Sequence, residues 1–96
     1  MNDILTELAE GVKGYTMEHE DALYIPVVVA KHPGNGDVAR YLDSLPKDKT
    51  IKFPTVLHPQ LRDMLSRRGY KVTHEWAEEF QEYAEVFVRE GSRGAK

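Results

Sequence analysis

Apolar residues recur along this chain at two periods, and each period predicts a different kind of element. Helical spacing predicts helices over residues 2–12, over about 36–45, and after Pro59, a residue that suits a first helical turn. Two runs rich in β-branched residues, 22–31 and 50–57, predict strands, the first buried on both faces. The helical stripes are Ile4, Leu5, Leu8 and Val12; Val38, Tyr41, Leu42 and Leu45; and Leu61, Met64 and Leu65.

Caps, turns and prolines set the limits of these elements. Asn2 or Asp3 caps the first helix, glycines 11 and 14 end it, and Gly69 ends the third as a left-handed cap. A short strand around residues 15–17 and a turn at 19–21 follow the first helix. Pro26 cannot donate a ladder hydrogen bond, so it marks a bulge or an unpaired side, and the second run contains Pro54.

Residues 70–90 allow two interpretations. Residues 70–76 alternate and predict a strand, with Tyr70, Val72, His74 and Trp76 on one face. Trp76, Phe80, Tyr83 and Phe87 recur at helical spacing, so local physics favours a helix from Trp76 onward. Residues 83–89 also alternate, which fits a hairpin with 70–76. The aromatic stripe serves either core or dimer packing or an exposed contact with a partner.

The order of strands and helices predicts an α/β or α+β fold with a mixed sheet. Strands that alternate with helices favour parallel neighbours, here 22–31 beside 50–57. Residues 1–90 form a single domain, since 96 residues suffice for one modest core, and 91–96 form a flexible tail.

Composition excludes several classes of chemistry. The chain has no cysteine, which excludes disulfides, zinc–cysteine clusters and thiol catalysis. No apolar run approaches the roughly 18 residues of a membrane span, and no basic segment leads into an apolar one as in a secretory signal. We therefore expect a cytoplasmic protein that does not bind membranes.

Charge is distributed unevenly. Residues 1–30 carry six acids and one base, residues 31–72 four acids and nine bases, and residues 73–96 six acids and three bases. The basic middle either holds an anion such as a phosphate or forms ordinary solvated helix faces. Because the overall charge is −3 and no aromatic-rich basic strand motif occurs, we expect no nucleic-acid partner.

Two segments resemble the GNAT superfamily of N-acetyltransferases, over about residues 22–90. VVVAKHPGNGDVARYLDSL stands where that family has a strand, a loop of the form R/Q-x-x-G-x-G/A and a helix, with Pro33, Gly36 and Val38 at the three motif positions. MLSRRGYKVTHEWAEEFQEYAEVFVRE is similar to the L-Y-E-K-x-G-F signature and its closing hairpin, with Gly69-Tyr70 matching Gly-Phe. The resemblance favours the hairpin over the helix at the C-terminus.

The resemblance implies acetyl-coenzyme A as cofactor. Its pyrophosphate would bind the backbone N–H groups of Gly34, Asn35 and Gly36, with charge from Lys31 and Arg40, and its pantetheine arm would enter where the two parallel strands splay. The alternative is a plain capped turn, because Asp37 in the first helical turn caps the helix and competes with a phosphate.

The catalytic residues of the family are poorly matched. Leu65 stands where the family often has an acidic tyrosine, and residues 22–30 contain no carboxylate. His58 is the candidate base, or else a surface or capping residue. The part preceding the loop, which normally builds the acceptor site, is short.

Two hypotheses result. The first is a non-catalytic GNAT-like module that acts through a protein partner or a homo-oligomer, comparable to small phage-encoded or virion proteins. The second is an active acetyl-coenzyme A-dependent N-acetyltransferase. We expect no metal, because the four histidines lack paired metal spacing. Residues 18–21 read as a weak cation site or, more simply, as a polar turn.

Overall fold

The computed structural model describes residues 5–78 and 80–91. Its elements are β1 (Thr6–Ala9), β2 (Val12–His19), β3 (Ala22–Ala30), α1 (Asp37–Ser44), β4 (Thr50–Pro54), α2 (Pro59–Arg67), β5 (Lys71–Ala77) and β6 (Glu82–Arg89). The described strands form one sheet in the order β1-β2-β3-β4-β6-β5. The fold is therefore mixed α+β, as the element order predicted. The predicted tail beyond Gly91 lies outside the described residues.

One parallel pair lies at the centre of the sheet. β3 and β4 run parallel, whereas the other neighbouring strands are antiparallel. The predicted parallel neighbours are thus confirmed. The C-terminal hairpin is also confirmed, since β5 and β6 pair from Lys71↔Val88 to Ala77↔Glu82. The helix from Trp76 onward that local spacing favoured is wrong.

The predicted N-terminal helix is wrong. The described part of residues 2–12 forms β1, a turn and the first residue of β2; residues 2–4 lie outside the described chain. Gly11 adopts a left-handed φ of 80° and closes a tight hairpin turn, which a helix does not allow. Gly14 lies inside β2, where a Cβ would come within 2.1 Å of the Val27 carbonyl oxygen. The short strand expected around 15–17 is part of the longer β2.

β3 carries the irregularity that Pro26 predicted. Tyr15 pairs with Val27 and Met17 with Tyr24, so β3 has one extra residue between these pairs. This two-against-three spacing is a β-bulge, and it includes Pro26. The turn at residues 19–21 is confirmed, since Glu20 and Asp21 take positive φ between β2 and β3.

Both helices cover the same face of the sheet. One core cluster combines Leu42 of α1 and Leu65 of α2 with Ile51, Phe53 and Phe87 of the strands. The helix limits agree with the predicted caps, since Pro59 opens α2 and Gly69, with φ 88°, follows its end. The opposite face of the sheet carries no described helix. The prediction that β3 is buried on both faces is therefore wrong, and Val29 remains 46% exposed.

The aromatic stripe divides between core and surface. Phe87 is buried in the core, whereas Trp76, Phe80 and Tyr83 are exposed. The rings of Trp76 and Tyr83 meet edge to face at 5.3 Å. No helix in the described part of the chain is long and apolar enough to cross a membrane.

Candidate functional site

The loop between β3 and α1 presents the start of a helix to solvent. Gly34 and Gly36 take φ values of 90° and 79°, which glycine adopts without strain. The Asn35 backbone N–H donates to the His32 carbonyl at 3.2 Å and closes a turn. Gly36 is the N-cap of α1, and no side chain caps the helix there. The first-turn N–H groups are therefore directed toward the loop side of the molecule.

A polar pocket of about 310 Å³, called here the loop pocket, lies beside this loop. Its lining consists of Glu7, Glu10, Gly11, Lys31, His32, Asn35, Asp37 and Arg40. The predicted site residues Lys31, Asn35 and Arg40 are thus brought together. Gly34 and Gly36 belong to the loop backbone but do not line the pocket. The sequence did not predict that the β1–β2 turn forms a wall of the loop pocket, because residues 2–12 were predicted to be helical.

Asp37 dominates the electrostatics of the loop pocket. Its carboxylate is buried, accepts a hydrogen bond from Arg40 and receives a second from the Asn35 amide at 3.3 Å. It also lies against Gly11, where a Cβ would come within 2.1 Å of Asp37 Oδ2. The pocket holds three carboxylates against two permanent cations, and one cation, Arg40, is already paired. Lys31 is left as the strongest anion-binding side chain there.

A second cavity, called here the strand cleft, opens where β3 and β4 separate. The two strands pair at only three positions, the last joining Tyr24 to Lys52. β4 stays paired with β6 from Ile51 to Pro54, and the Thr55 N–H then donates to the Glu85 carbonyl at 2.8 Å. The cleft measures about 170 Å³. It is lined by Ile25, Pro26, Val27, Val28, Phe53, Pro54, Thr55, Val56, Leu57, His58 and Leu61.

The strand cleft is apolar and partly bordered by unpaired strand edges. Apolar side chains provide most of its lining, and a proline stands in each wall. Leu57 is 81% exposed at its rim. Val28 lines the cleft and Lys31 lines the loop pocket, so both cavities adjoin the C-terminal end of β3. Ligands of open parallel sheets bind at this end of the strands.

His58 lies in the strand cleft and apart from the other predicted site residues. It is the N-cap of α2, but its side chain makes no cap hydrogen bond. In the described part of the chain no carboxylate orients the imidazole. The geometry therefore gives His58 access to the cleft without the acceptor partner that usually sets the tautomer of a catalytic histidine.

The position on α2 where the resemblance would place a tyrosine general acid is buried and has no access to either cavity. Leu65 is completely buried in the core, so its place on α2 does not face either cavity. Tyr70 is also buried; its hydroxyl has no hydrogen-bond partner among the described residues, and burial raises its pKa. Burial likewise raises the pKa of Tyr41. Both tyrosines belong to the core and line neither cavity.

A polar cluster that sequence reasoning missed lies where β3 and β4 part. Lys52 Nζ donates to Glu75 Oε2 at 2.7 Å and to the Tyr24 hydroxyl at 3.3 Å, while Tyr24 donates to Glu75 Oε1 at 3.2 Å. Burial acts to lower the pKa of Lys52, but the hydrogen bonds to Glu75 and Tyr24 outweigh it and raise the pKa. The cluster links β3, β4 and β5, and only the alternation of Lys52 with Ile51 and Phe53 could have indicated its face.

The suggested cation site at residues 18–21 is split between different contacts. Glu18 pairs with Lys49 at 3.0 Å, and His19 lies 3.8 Å from Glu20. The described residues contain no group of three or more histidine or acidic side chains that could hold a metal ion.

Comparison of this chain with protein-family models finds no match. No curated protein matches it. No solved structure matches it. The function is therefore inferred from the two cavities and from the resemblance of the sequence motifs.

Proposed function

We propose that this chain is a GNAT-like domain that binds an acyl-coenzyme A and works through a protein partner or an assembly. The observation that carries the proposal is the parting of β3 and β4 after three residue pairs, on a strand, β3, that leads into a glycine loop and the start of a helix. Such a pair of cavities suits a ligand with an anionic head and a long, narrow arm.

The pyrophosphate and the pantetheine arm of coenzyme A each have a matching surface. The loop amides and the start of α1 offer N–H donors and the positive end of a helix dipole to a pyrophosphate, with Lys31 nearby. The strand cleft offers apolar side chains to the pantetheine arm. Its unpaired strand edges offer main-chain groups to the two amides of that arm, much as a strand would.

The loop pocket predicts modest rather than tight binding. Arg40 is committed to the buried Asp37 carboxylate, and Glu7 and Glu10 line the same pocket. A phosphate entering this pocket meets three carboxylates, whose repulsion salt screens only partly. The backbone N–H groups and Lys31 must therefore provide most of the attraction.

The proposal assigns the acceptor and its proton chemistry to a partner. Leu65 is buried where the family often has its tyrosine, and β3 contributes no carboxylate to the strand cleft. General acid–base catalysis needs a proton acceptor within hydrogen-bond reach of the reacting amine. A partner chain or second copy that covers the cleft could supply that group.

An active N-acetyltransferase is the second candidate, and the place of His58 favours it. The imidazole lines the strand cleft, where the thioester end of a bound acyl group would lie. A neutral imidazole there could accept the proton of an attacking amine, with the rest of the rate coming from positioning. This candidate predicts thioester consumption with an amine acceptor, and loss of that activity in His58→Ala without loss of coenzyme binding.

Isothermal calorimetry with acetyl-coenzyme A tests the binding proposal. Leu57→Asp places a carboxylate at the rim of the strand cleft without touching the core, since Leu57 is 81% exposed. Phe80→Asp makes the same kind of change at a 66% exposed position in the β5–β6 turn. We expect Leu57→Asp to weaken binding roughly tenfold or more, and Phe80→Asp to leave it unchanged.

Two results would contradict the proposal. One is the absence of any binding heat when acetyl-coenzyme A is titrated to millimolar concentration. The other is equal weakening by the two aspartate variants, which would show that the cleft is not the site. Lys31→Ala, compared with Lys71→Ala on β5, tests the contribution of the loop pocket in the same titration.

A further inference from the structure

β5 forms an open edge of the sheet. It is the last strand in the order of the described sheet, and its seven residues pair with β6 without a register shift. The other edge strand, β1, has four residues and an irregular register between Glu7 and Ala9. β5 is therefore the longer and more regular edge.

The pairing of β6 shows which β5 groups face outward. The Thr55 N–H donates to the Glu85 carbonyl, so the main chain of Glu85 faces β4. In a strand, successive residues direct their N–H and C=O groups to opposite sides, so Ala84 and Val86 face β5. Their partners there are Glu75 and Thr73. It follows that Val72, His74 and Trp76 direct their N–H and C=O groups away from the sheet.

This edge lacks most of the devices that keep sheet edges apart. Prolines and bulges blunt many natural edges, but here they lie in β1, β3 and β4. Along β5 the charged residues are Lys71, at one end, and Glu75, whose carboxylate is bound to Lys52 and Tyr24 of its own chain. Val72 is 45% exposed and Trp76 50% exposed on the face that also carries His74. A regular, partly apolar edge of this kind favours strand addition.

We propose that a second copy of this chain pairs antiparallel with β5, with His74 opposite His74 on a two-fold axis. His74 is the middle residue of Lys71–Ala77, so this register pairs the whole strand with itself. Val72 then lies opposite Trp76 of the second copy, His74 opposite His74, and Trp76 opposite Val72. In each pair the outward N–H and C=O groups of the two residues face each other. All three pairs are then hydrogen-bonded pairs of an antiparallel ladder.

Side chains on both faces fit the same register. On one face Val72 lies opposite Trp76 of the second copy, twice by symmetry, and Tyr83 packs beside Trp76 at 5.3 Å. On the other face Lys71 lies diagonal to Glu75 of the second copy, where it adds a second opposite charge to a carboxylate already paired with Lys52. This self-complementarity favours a second copy over an unrelated extended peptide. The two sheets would join into one continuous sheet.

The inference does not depend on coenzyme binding. β5 and the loop pocket lie at opposite ends of the strand order, and no β5 residue lines either cavity. A chain that binds acetyl-coenzyme A as a monomer would overturn the dimer alone. A dimer without affinity for the cofactor would overturn the proposed function alone.

Sedimentation equilibrium of the full chain tests the dimer, with His74→Pro and His74→Ala as a matched pair. Proline removes the outward N–H of residue 74 but leaves the bonds of Thr73 and Glu75 to β6, whereas alanine keeps that N–H. Wild type and His74→Ala should approach twice the 11.0 kDa chain mass as concentration rises. His74→Pro should dimerise roughly tenfold or more weakly. Circular dichroism verifies that each variant is folded.

A second variant and a second readout keep the test decisive. Val72→Glu keeps the backbone and places a carboxylate opposite Trp76 of the second copy, so it should also weaken the dimer. In the wild-type dimer the amides of Val72 and Trp76 should exchange slowly with solvent. A monomer at millimolar concentration, or a dimer in which those amides exchange freely, would overturn the proposal. So would protection of these amides only when a foreign extended peptide is added.

Discussion

Asp37 shows how one residue connects distant parts of this chain. It is the first residue of α1, and its side chain is 5% exposed. Arg40 one turn later and Asn35 in the loop both donate to it. Gly11 packs against it from the β1–β2 turn, where any larger residue would collide. Asp37 therefore holds the helix start, the glycine loop and the N-terminal hairpin together.

Removal of Arg40 should destabilise the fold more than removal of an ordinary surface arginine. Arg40→Ala leaves the buried Asp37 carboxylate with Asn35 alone, and we expect a loss of about 1–3 kcal/mol in the free energy of unfolding. Arg67→Ala is the control, because Arg67 and Asp63 form an exposed pair on α2. That variant should lose no more than about 0.5 kcal/mol. Urea denaturation gives both values, and equal losses would contradict the role of Asp37.

The position of a single residue could be predicted from the sequence where it depends on its neighbours along the chain. The sequence placed Asp37 in the first helical turn, as observed, but the expectation that Asp37 caps the helix is wrong, because Gly36 is the N-cap and no side chain makes a cap hydrogen bond. It could not reveal that Gly11 packs against that carboxylate, because the contact joins residues 26 positions apart. Nor could it reveal the cluster of Tyr24, Lys52 and Glu75, which depends on the sheet order.

At the scale of elements, an ion pair fastens α2 to the sheet. Arg62 on α2 donates to Glu85 on β6 at 2.6 Å and to the Val56 carbonyl at 2.8 Å. Its guanidinium also lies 5.0 Å from the centre of the Phe87 ring. The hydrogen bond from Arg62 lowers the pKa of Glu85 below its ordinary value of 4.5.

Because the pKa of Glu85 is lowered in the folded state, part of the free energy of unfolding depends on pH. A carboxylate with a lower pKa in the folded state contributes stability above its unfolded pKa, and that contribution is lost as pH falls through the folded value. Between about pH 6 and pH 3 the free energy of unfolding should therefore fall more for the wild type than for Glu85→Gln. Glu82→Gln, at an exposed position of the same strand, is the control and should behave as the wild type. Identical pH profiles for all three would contradict the role of the pair.

The elements that were mispredicted are those decided by pairing with neighbouring strands. The apolar spacing of residues 4–12 fits a helix, yet Gly11 closes a turn and β2 gains a neighbouring strand on each side. At residues 76–90 local spacing also favoured a helix, but β6 lies between β4 and β5 and is bonded to both. The strands at 22–31 and 50–57 were predictable because their β-branched composition does not suit a helix.

At the scale of the whole molecule, the order of elements predicted the parallel pair of β3 and β4 but not the extent of the cleft between them. Alternating strands and helices predicted that β3 and β4 are parallel neighbours. The resemblance implied that they splay, and the two prolines agreed with weak pairing. The extent of the strand cleft depends on β4 staying paired with β6 while β3 separates from β4 after Tyr24, which no local pattern specifies.

The central claim is that one ligand, an acyl-coenzyme A, spans the loop pocket and the strand cleft. Titration of the isotopically labelled chain with acetyl-coenzyme A, followed by amide chemical shifts, tests it most directly. The claim predicts saturable shifts at residues 34–40 of the loop and helix start together with Val27, Val28 and Leu57 of the cleft, and none at Phe80. An unchanged spectrum at millimolar ligand would contradict it, and so would shifts that avoid both cavities.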